Sequence, residues 1–164
     1  MRSMTPDDAV QISGWHYPGR WSVYDLHSPT DIVDELDLYR AVTDGDDNLI
    51  GFLCVDSAAR VPGLNADPNI LDVGVGMDSC LVGRGNGQAF GKAVLEYLNS
   101  RHPGRPLRAV IQSWNVRSRR FAATAGFIDV GELSSTKGEH QAFYRILLKP
   151  DSALVAATGV QNDA

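Results

Sequence analysis

The chain has only two cysteines, Cys54 and Cys80, among 164 residues, which excludes a disulfide-dense scaffold and a four-cysteine zinc site. Its four histidines show no ligand spacing, so no metal site is expected. No apolar run approaches the roughly 18 residues that a membrane span needs, and Met1 to Ala9 lacks the basic-then-apolar order of a secretory leader. A cytoplasmic protein with reduced thiols and no membrane partner is expected.

What is present fits one ordinary domain. Apolar residues make up 43% of the chain, and a core of this size can bury roughly 70% of the unfolded surface. Residues 1–150 are read as that domain, and residues 151–164, small and polar, as a flexible tail. A net charge of −5 argues against a nucleic-acid partner. The charge is unevenly spread: residues 1–80 hold 14 acids against 4 bases, and residues 81–164 hold 6 acids against 11 bases. Such halves suit a bipartite site, with an anionic ligand on the second half and a cationic one on the first.

Thr5-Pro6-Asp7-Asp8 reads as a capped helix start, running to about Trp15. The ring-rich stretch Trp15 to Tyr24 is too irregular for helix or strand and reads as a loop lining a site. Ser28-Pro29-Thr30-Asp31 starts a short helix to about Leu36. Residues 38–43 and 49–55 flank Asp44-Gly45-Asp46-Asp47-Asn48 as a hairpin. Residues 69–77 form a buried strand in which Gly74 and Gly76 hint at a ligand approaching the backbone. Further on, apolar positions 90, 94, 95 and 98 have helical spacing, residues 107–111 read as a strand, 116–125 as a helix closed by Gly126, and 127–133 with 142–148 as a strand pair.

Between the buried strand and the helix lies Val82-Gly83-Arg84-Gly85-Asn86-Gly87. A glycine-rich loop on a helix N-terminus presents free backbone N–H groups and a positive dipole end to a phosphate. A Walker loop fails because Asn86 and Ala93 stand where glycine and a hydroxyl are needed. A dinucleotide fingerprint fails at Gln88 and Phe90. The surviving pattern is followed about 30 residues later by Asn115-Val116-Arg117-Ser118, ending in Gly126-Phe127.

In these two segments the sequence resembles the GCN5-related N-acetyltransferase (GNAT) superfamily, from about Asp7 to Leu148. The Trp15-His16-Tyr17-Pro18 loop is similar to a bacterial subgroup of it. The resemblance implies an α/β fold, a mixed, mostly antiparallel twisted sheet flanked by helices, with a first strand that is short or absent. It also implies acetyl-CoA as donor substrate, no metal, and transfer to a primary amine of a small molecule, peptide or protein. The alternative is a non-catalytic acyl-CoA-binding regulatory module. Family members often form homodimers.

The resemblance further assigns residues. The pyrophosphate would lie on the N–H groups of Gly83 to Gly87, with Val82, Arg84 and Asn86 completing the loop. The pantetheine would follow the strand ending at Met77, and an N–H near Val75 would hold the thioester oxygen. Asn115 would bond the pantetheine or cap the next helix, with Ser118 beside it, and Arg84, Arg117, Arg119 and Arg120 would meet phosphates. Val82 stands where the family motif has arginine or glutamine. Ala122 stands where many members carry the tyrosine that protonates the leaving thiolate, so Tyr144 is the candidate acid. A primary amine of pKa about 10.4 needs roughly 4 kcal/mol of deprotonation at pH 7. Asp72 is the candidate base, with His16 and His140 as weaker alternatives. Trp15, Tyr17, Trp21 and Tyr24 are candidates for an aromatic wall around a cationic acceptor.

Overall fold

A computed structural model of the chain describes residues 1–137 and 140–151. The expected tail, residues 151–164, lies outside them apart from Asp151.

The first strand is two residues long, β1 (Arg2–Ser3), and Thr5 then caps α1 (Pro6–Ser13) in a reciprocal box with Asp8. Each side chain there accepts a hydrogen bond from the other's backbone N–H, satisfying two groups that a helix start leaves open. Arg2 grips the same Asp8 carboxylate at 2.6 and 2.9 Å, tying strand to helix. The ring-rich stretch departs from the sequence reading, because Gly19–Tyr24 winds into a 3-10 helix. The helix expected from Ser28 is α2 (Thr30–Val33) followed by a separate 3-10 turn, Leu36–Leu38, with Glu35 leaving helical geometry between them at φ −133°.

β2 (Tyr39–Thr43) and β3 (Leu49–Val55) form the expected hairpin. Asp44 closes its turn by accepting the N–H groups of Asp46 and Asn48 at 2.9 Å. β4 (Leu71–Met77) starts two residues later than expected, since Ile70 is still held in a turn by Asp67. Then follow α3 (Gly87–Arg101), β5 (Leu107–Gln112), α4 (Val116–Thr124), β6 (Ile128–Lys137) and β7 (His140–Lys149). The last two strands outrun the sequence reading because their added pairs, such as Ser135 with Ala142 and Thr136 with Gln141, form a polar ribbon with no apolar alternation.

The strands make one sheet in the order β1-β2-β3-β4-β5-β7-β6, antiparallel throughout except where β4 meets β5. Neighbouring residues on a strand feed opposite faces. Val42 and Leu53 join Leu71, Phe90, Val94, Leu98, Leu107 and Leu147 beneath α3 and α4, while Ala41 and Cys54 join Ile12, Trp15 and Ile32 beneath α1 and α2. Leu53, Leu71 and Ile32 are fully buried, each contributing about 1.5–3 kcal/mol of hydrophobic stabilisation.

One irregularity positions everything that follows. β4 and β5 pair only at Leu71 with Leu107 and at Asp72 with Arg108. Beyond that vertex β4 stays with β3 and β5 stays with β7, so a wedge opens in mid-sheet.

Candidate functional site

The glycine loop reaches α3 through two left-handed residues, Gly83 at φ +79° and Gly85 at φ +86°. A Cβ at either would meet nothing within 4 Å, so glycine is required there by conformation and the loop borders open space. Asn86 occupies the N-cap but its side chain makes no cap bond, and the first turn carries no acid. Asn86 Nδ2 instead donates to Leu81 O at 3.3 Å. The first N–H groups of a 15-residue helix are therefore left uncapped by side chains beside an exposed Arg84. An uncapped helix N-terminus of this kind is electropositive and suits an anion. Gly91 serves a purpose not seen in the sequence: its missing Cβ would stand 2.8 Å from the Phe121 ring, so it lets α4 close on α3.

Backbone parity places the wedge-facing groups of β4. Asp78 N–H donates to Ile50 O on β3, whereas Leu71 N–H donates to Pro106 O on the β5 side. Amides alternate sides along a strand, so Val73, Val75 and Met77 turn theirs toward the wedge and Gly74 and Gly76 turn theirs toward β3. Val75 is 42% exposed. The Met77 carbonyl accepts a 2.6 Å hydrogen bond from the Tyr17 hydroxyl. Burial, then the Asp78 and Asp25 carboxylates, push that phenol up to about 12, so it remains a donor at neutral pH.

The opposite wall is the end of β5 and the start of α4. Asn115, 3% exposed, caps α4 by accepting Ser118 N–H at 3.1 Å, and its Nδ2 donates to the Tyr24 hydroxyl at 2.9 Å. Gln112, at the end of β5, lies close enough for its backbone to act on the same hydroxyl. Trp114, which carries no signal in the sequence, anchors a ring cluster here. It meets Trp21 edge to face at 5.7 Å and Tyr24 at 6.1 Å, and its Nε1 is bonded to Gln112 Oε1. The Arg20 guanidinium lies 4.0 Å above Trp114, and that of Arg117 lies 5.1 Å above Trp21. Among the described residues, Trp21 Nε1 and Arg119 Nε are buried without a hydrogen-bond partner.

Several expected roles change. Asp72 is 2% exposed and clasped by Arg108 at 2.6 and 3.1 Å and by Arg60 at 3.1 Å, so it is a structural ion at the wedge vertex and not a base open to an acceptor. Trp15 is buried in the core, stacked on Phe52 at 6.5 Å, and cannot line an acceptor wall. Ala122 is core as well, at 5% exposed. Gly74 and Gly76 are explained by packing, since a Cβ at 74 would stand 2.8 Å from Cys54 Sγ and one at 76 would overlap the Phe52 ring. The aromatic stretch does not stay together: Tyr17 reaches the β4 wall and Trp21 and Tyr24 the β5 wall. Tyr144, opposite Gln112 in the sheet, is close enough to Tyr24 to act on it electrostatically, and burial raises its own pKa. His16 is exposed and 3.3 Å from Asp25, and the His140 side chain lies outside the described ones.

No family model and no curated protein matches the chain. Solved structures do. The GNAT-family acetyltransferase from Bacillus anthracis matches with a TM-score of 0.69 at 14% identity, over 90% of this chain and 91% of that one. Mutant forms of the spermidine/spermine N-acetyltransferase SpeG from Vibrio cholerae match at 0.66 and 15%, over 96% and 97%. The ribosomal-protein-S5-alanine acetyltransferase from Vibrio fischeri matches at 0.59 and 18%, over 92% of each chain. The chain has the GNAT acyl-CoA N-acyltransferase fold.

Proposed function

We propose that the protein is an N-acetyltransferase that moves the acetyl group of acetyl-CoA to a primary amine of a small molecule or peptide. The observation that carries this reading is the juxtaposition of an open, left-handed glycine loop on an uncapped helix with a wedge between β4 and β5 lined by strand amides. The N–H groups of Gly83 to Gly87, aided by Arg84 and Arg119, hold the donor's phosphates, and Met77 and Asn115 flank its pantetheine, with Val82 and Ser118 shaping the passage. In the transfer, the amine nitrogen bonds to the thioester carbon, the C–S bond breaks, and the nitrogen gives up a proton. Val75 N–H, turned into the wedge, stabilises the charge that gathers on the carbonyl oxygen. Such a donor is worth about 3–4 kcal/mol in a transition state.

With Asp72 locked, the proton of the acceptor passes to solvent. The departing thiolate, of thiol pKa near 8.5, takes its proton from water or from Tyr144. A second reading, an acyl-CoA-binding module without chemistry, is favoured by one observation: neither Asp72 nor Ala122 supplies a reacting group. Consumption of acetyl-CoA with a panel of amines separates the two, because slow hydrolysis alone would support the binding module.

Gly87→Asp tests the shared part. Its Cβ would sit 3.6 Å from Phe121, an ordinary contact, and a carboxylate in the first turn suits the helix dipole. The variant therefore folds, and calorimetry should find its CoA affinity at least tenfold weaker. Unchanged affinity would dismiss the cradle.

A further inference from the structure

We propose that Arg20 and Arg117, mounted on the Trp21–Trp114 pair, form an anion subsite on the β5 wall, and that the acceptor is an amine bearing a carboxylate. This rests on the acetyltransferase reading for the word acceptor, and on geometry for the subsite.

Three observations converge. First, the two guanidiniums are carried by one edge-to-face ring pair, Arg20 at 4.0 Å from Trp114 and Arg117 at 5.1 Å from Trp21. Ring support orients a guanidinium while leaving its five N–H donors in its own plane free to bond. Second, neither guanidinium has a carboxylate within 4.0 Å among the described residues, as is true of most arginines there, in contrast to Arg2, Arg60, Arg108 and Arg145. Trp21 Nε1, a donor only, is likewise buried without a partner. Unpaired donors thus gather at this ring pair, as at a site for an oxyanion. Third, the cluster belongs to the wedge. Tyr24 packs on Trp114 and places its hydroxyl on Asn115 and Gln112. Burial raises the Tyr24 pKa, and the charge of Arg20 is felt at that hydroxyl in the opposite sense.

The same geometry argues against the sequence expectation of a cationic acceptor on this wall. Of the rings expected to receive a cation, Trp21 already carries Arg117, and Trp114 beside it carries Arg20, so a polyamine would meet like charge there. Arg117, which the family resemblance placed on a donor phosphate, is assigned to the acceptor because it stands on the same ring pair as Arg20.

The test is tryptophan-fluorescence titration of the CoA-saturated protein with the twenty amino acids, their twenty carboxamides, and spermidine. An amide keeps the amine and side chain and removes only the anion. At least one amino acid should bind tenfold or more tightly than its amide, spermidine should bind more weakly than that amino acid, and Arg20→Gln or Arg117→Gln should bring acid and amide within about threefold. The proposal is overturned by equal binding of acids and amides, by no binding of either set, or by tighter binding of spermidine. An arginine variant that weakens CoA binding while leaving the acid-to-amide ratio intact also overturns it, because its charge then serves the donor's phosphates. CoA release on adding acetyl-CoA is measured separately. Acid-selective binding without release discards the acetyltransferase reading and leaves the subsite standing.

Discussion

Asp72 and Arg108 are partners twice over: their Cα atoms form the last β4–β5 register pair, and their side chains meet at 2.6 Å directly where the strands part. Arg60 closes the other carboxylate oxygen at 3.1 Å. The pair sits at 2% and 13% side-chain exposure, so removing the carboxylate strands a buried guanidinium. Asp72→Asn should lose about 3–5 kcal/mol of stability, read as a lowered urea midpoint. Were Asp72 a base instead, the folded variant would lose the acid limb of its pH–rate profile; the profile should keep its shape.

Asp8 makes a pH-dependent contribution of known sign. Arg2 first, then Thr5, hold its carboxyl down at about 2 against an ordinary 3.8. A carboxyl whose folded pKa is depressed stabilises the fold above its unfolded pKa and ceases to do so as pH falls through the folded one. Asp8→Asn should therefore cost about 1–2 kcal/mol at pH 5, including the loss to the capping box, and the gap to wild type should shrink between about pH 4 and pH 2. Urea denaturation at several pH values measures it; a gap constant down to pH 2 would contradict the ion pair.

Asn115 and Tyr24 separate cap from cluster. Asn115→Ala removes the acceptor of Ser118 N–H and the donor to Tyr24 together, so it should cost about 1–2 kcal/mol. Tyr24→Phe leaves the cap in place and strands only Asn115 Nδ2, so it should cost about 1 kcal/mol, the low end for a buried donor left unpaired. Thermal melts of the two variants would show the order, and the reverse order would mean that the cap is not what Asn115 chiefly provides.

The features legible in the sequence are those written in local chemistry. Thr5-Pro6-Asp7-Asp8 announces a capped helix because cap, proline and acids act within one turn, and Asp44 to Asn48 announces a turn for the same reason. The glycine loop at 83–87 is legible because left-handed backbone favours glycine. Asp72 misleads because the arginines that claim it lie 12 and 36 residues away, a distance over which no local pattern operates. Trp114 gives no sign of its role because an isolated ring at a strand end carries no periodicity. Its importance depends on Trp21 and Arg20 arriving from the other half of the chain.

Gly76 shows how packing can imitate a binding signal. A glycine in a strand beside a cleft suggests a ligand close to the backbone, yet the space that a Cβ would fill at 76 is held by the Phe52 ring, which packs from the paired position on β3. Gly76→Ala should destabilise by about 1–3 kcal/mol through overpacking. If the ring is the cause, the same substitution made in a Phe52→Ala background should cost less, with a coupling of at least about 0.5 kcal/mol in a double-mutant cycle. Gly85→Ala provides the contrast: no side chain stands near it and its φ is +86°, so its penalty of about 1–2 kcal/mol should be the same in either background. A Gly76→Ala cost independent of residue 52, accompanied by weaker CoA binding, would return this glycine to the donor site and assign it to close approach of the ligand.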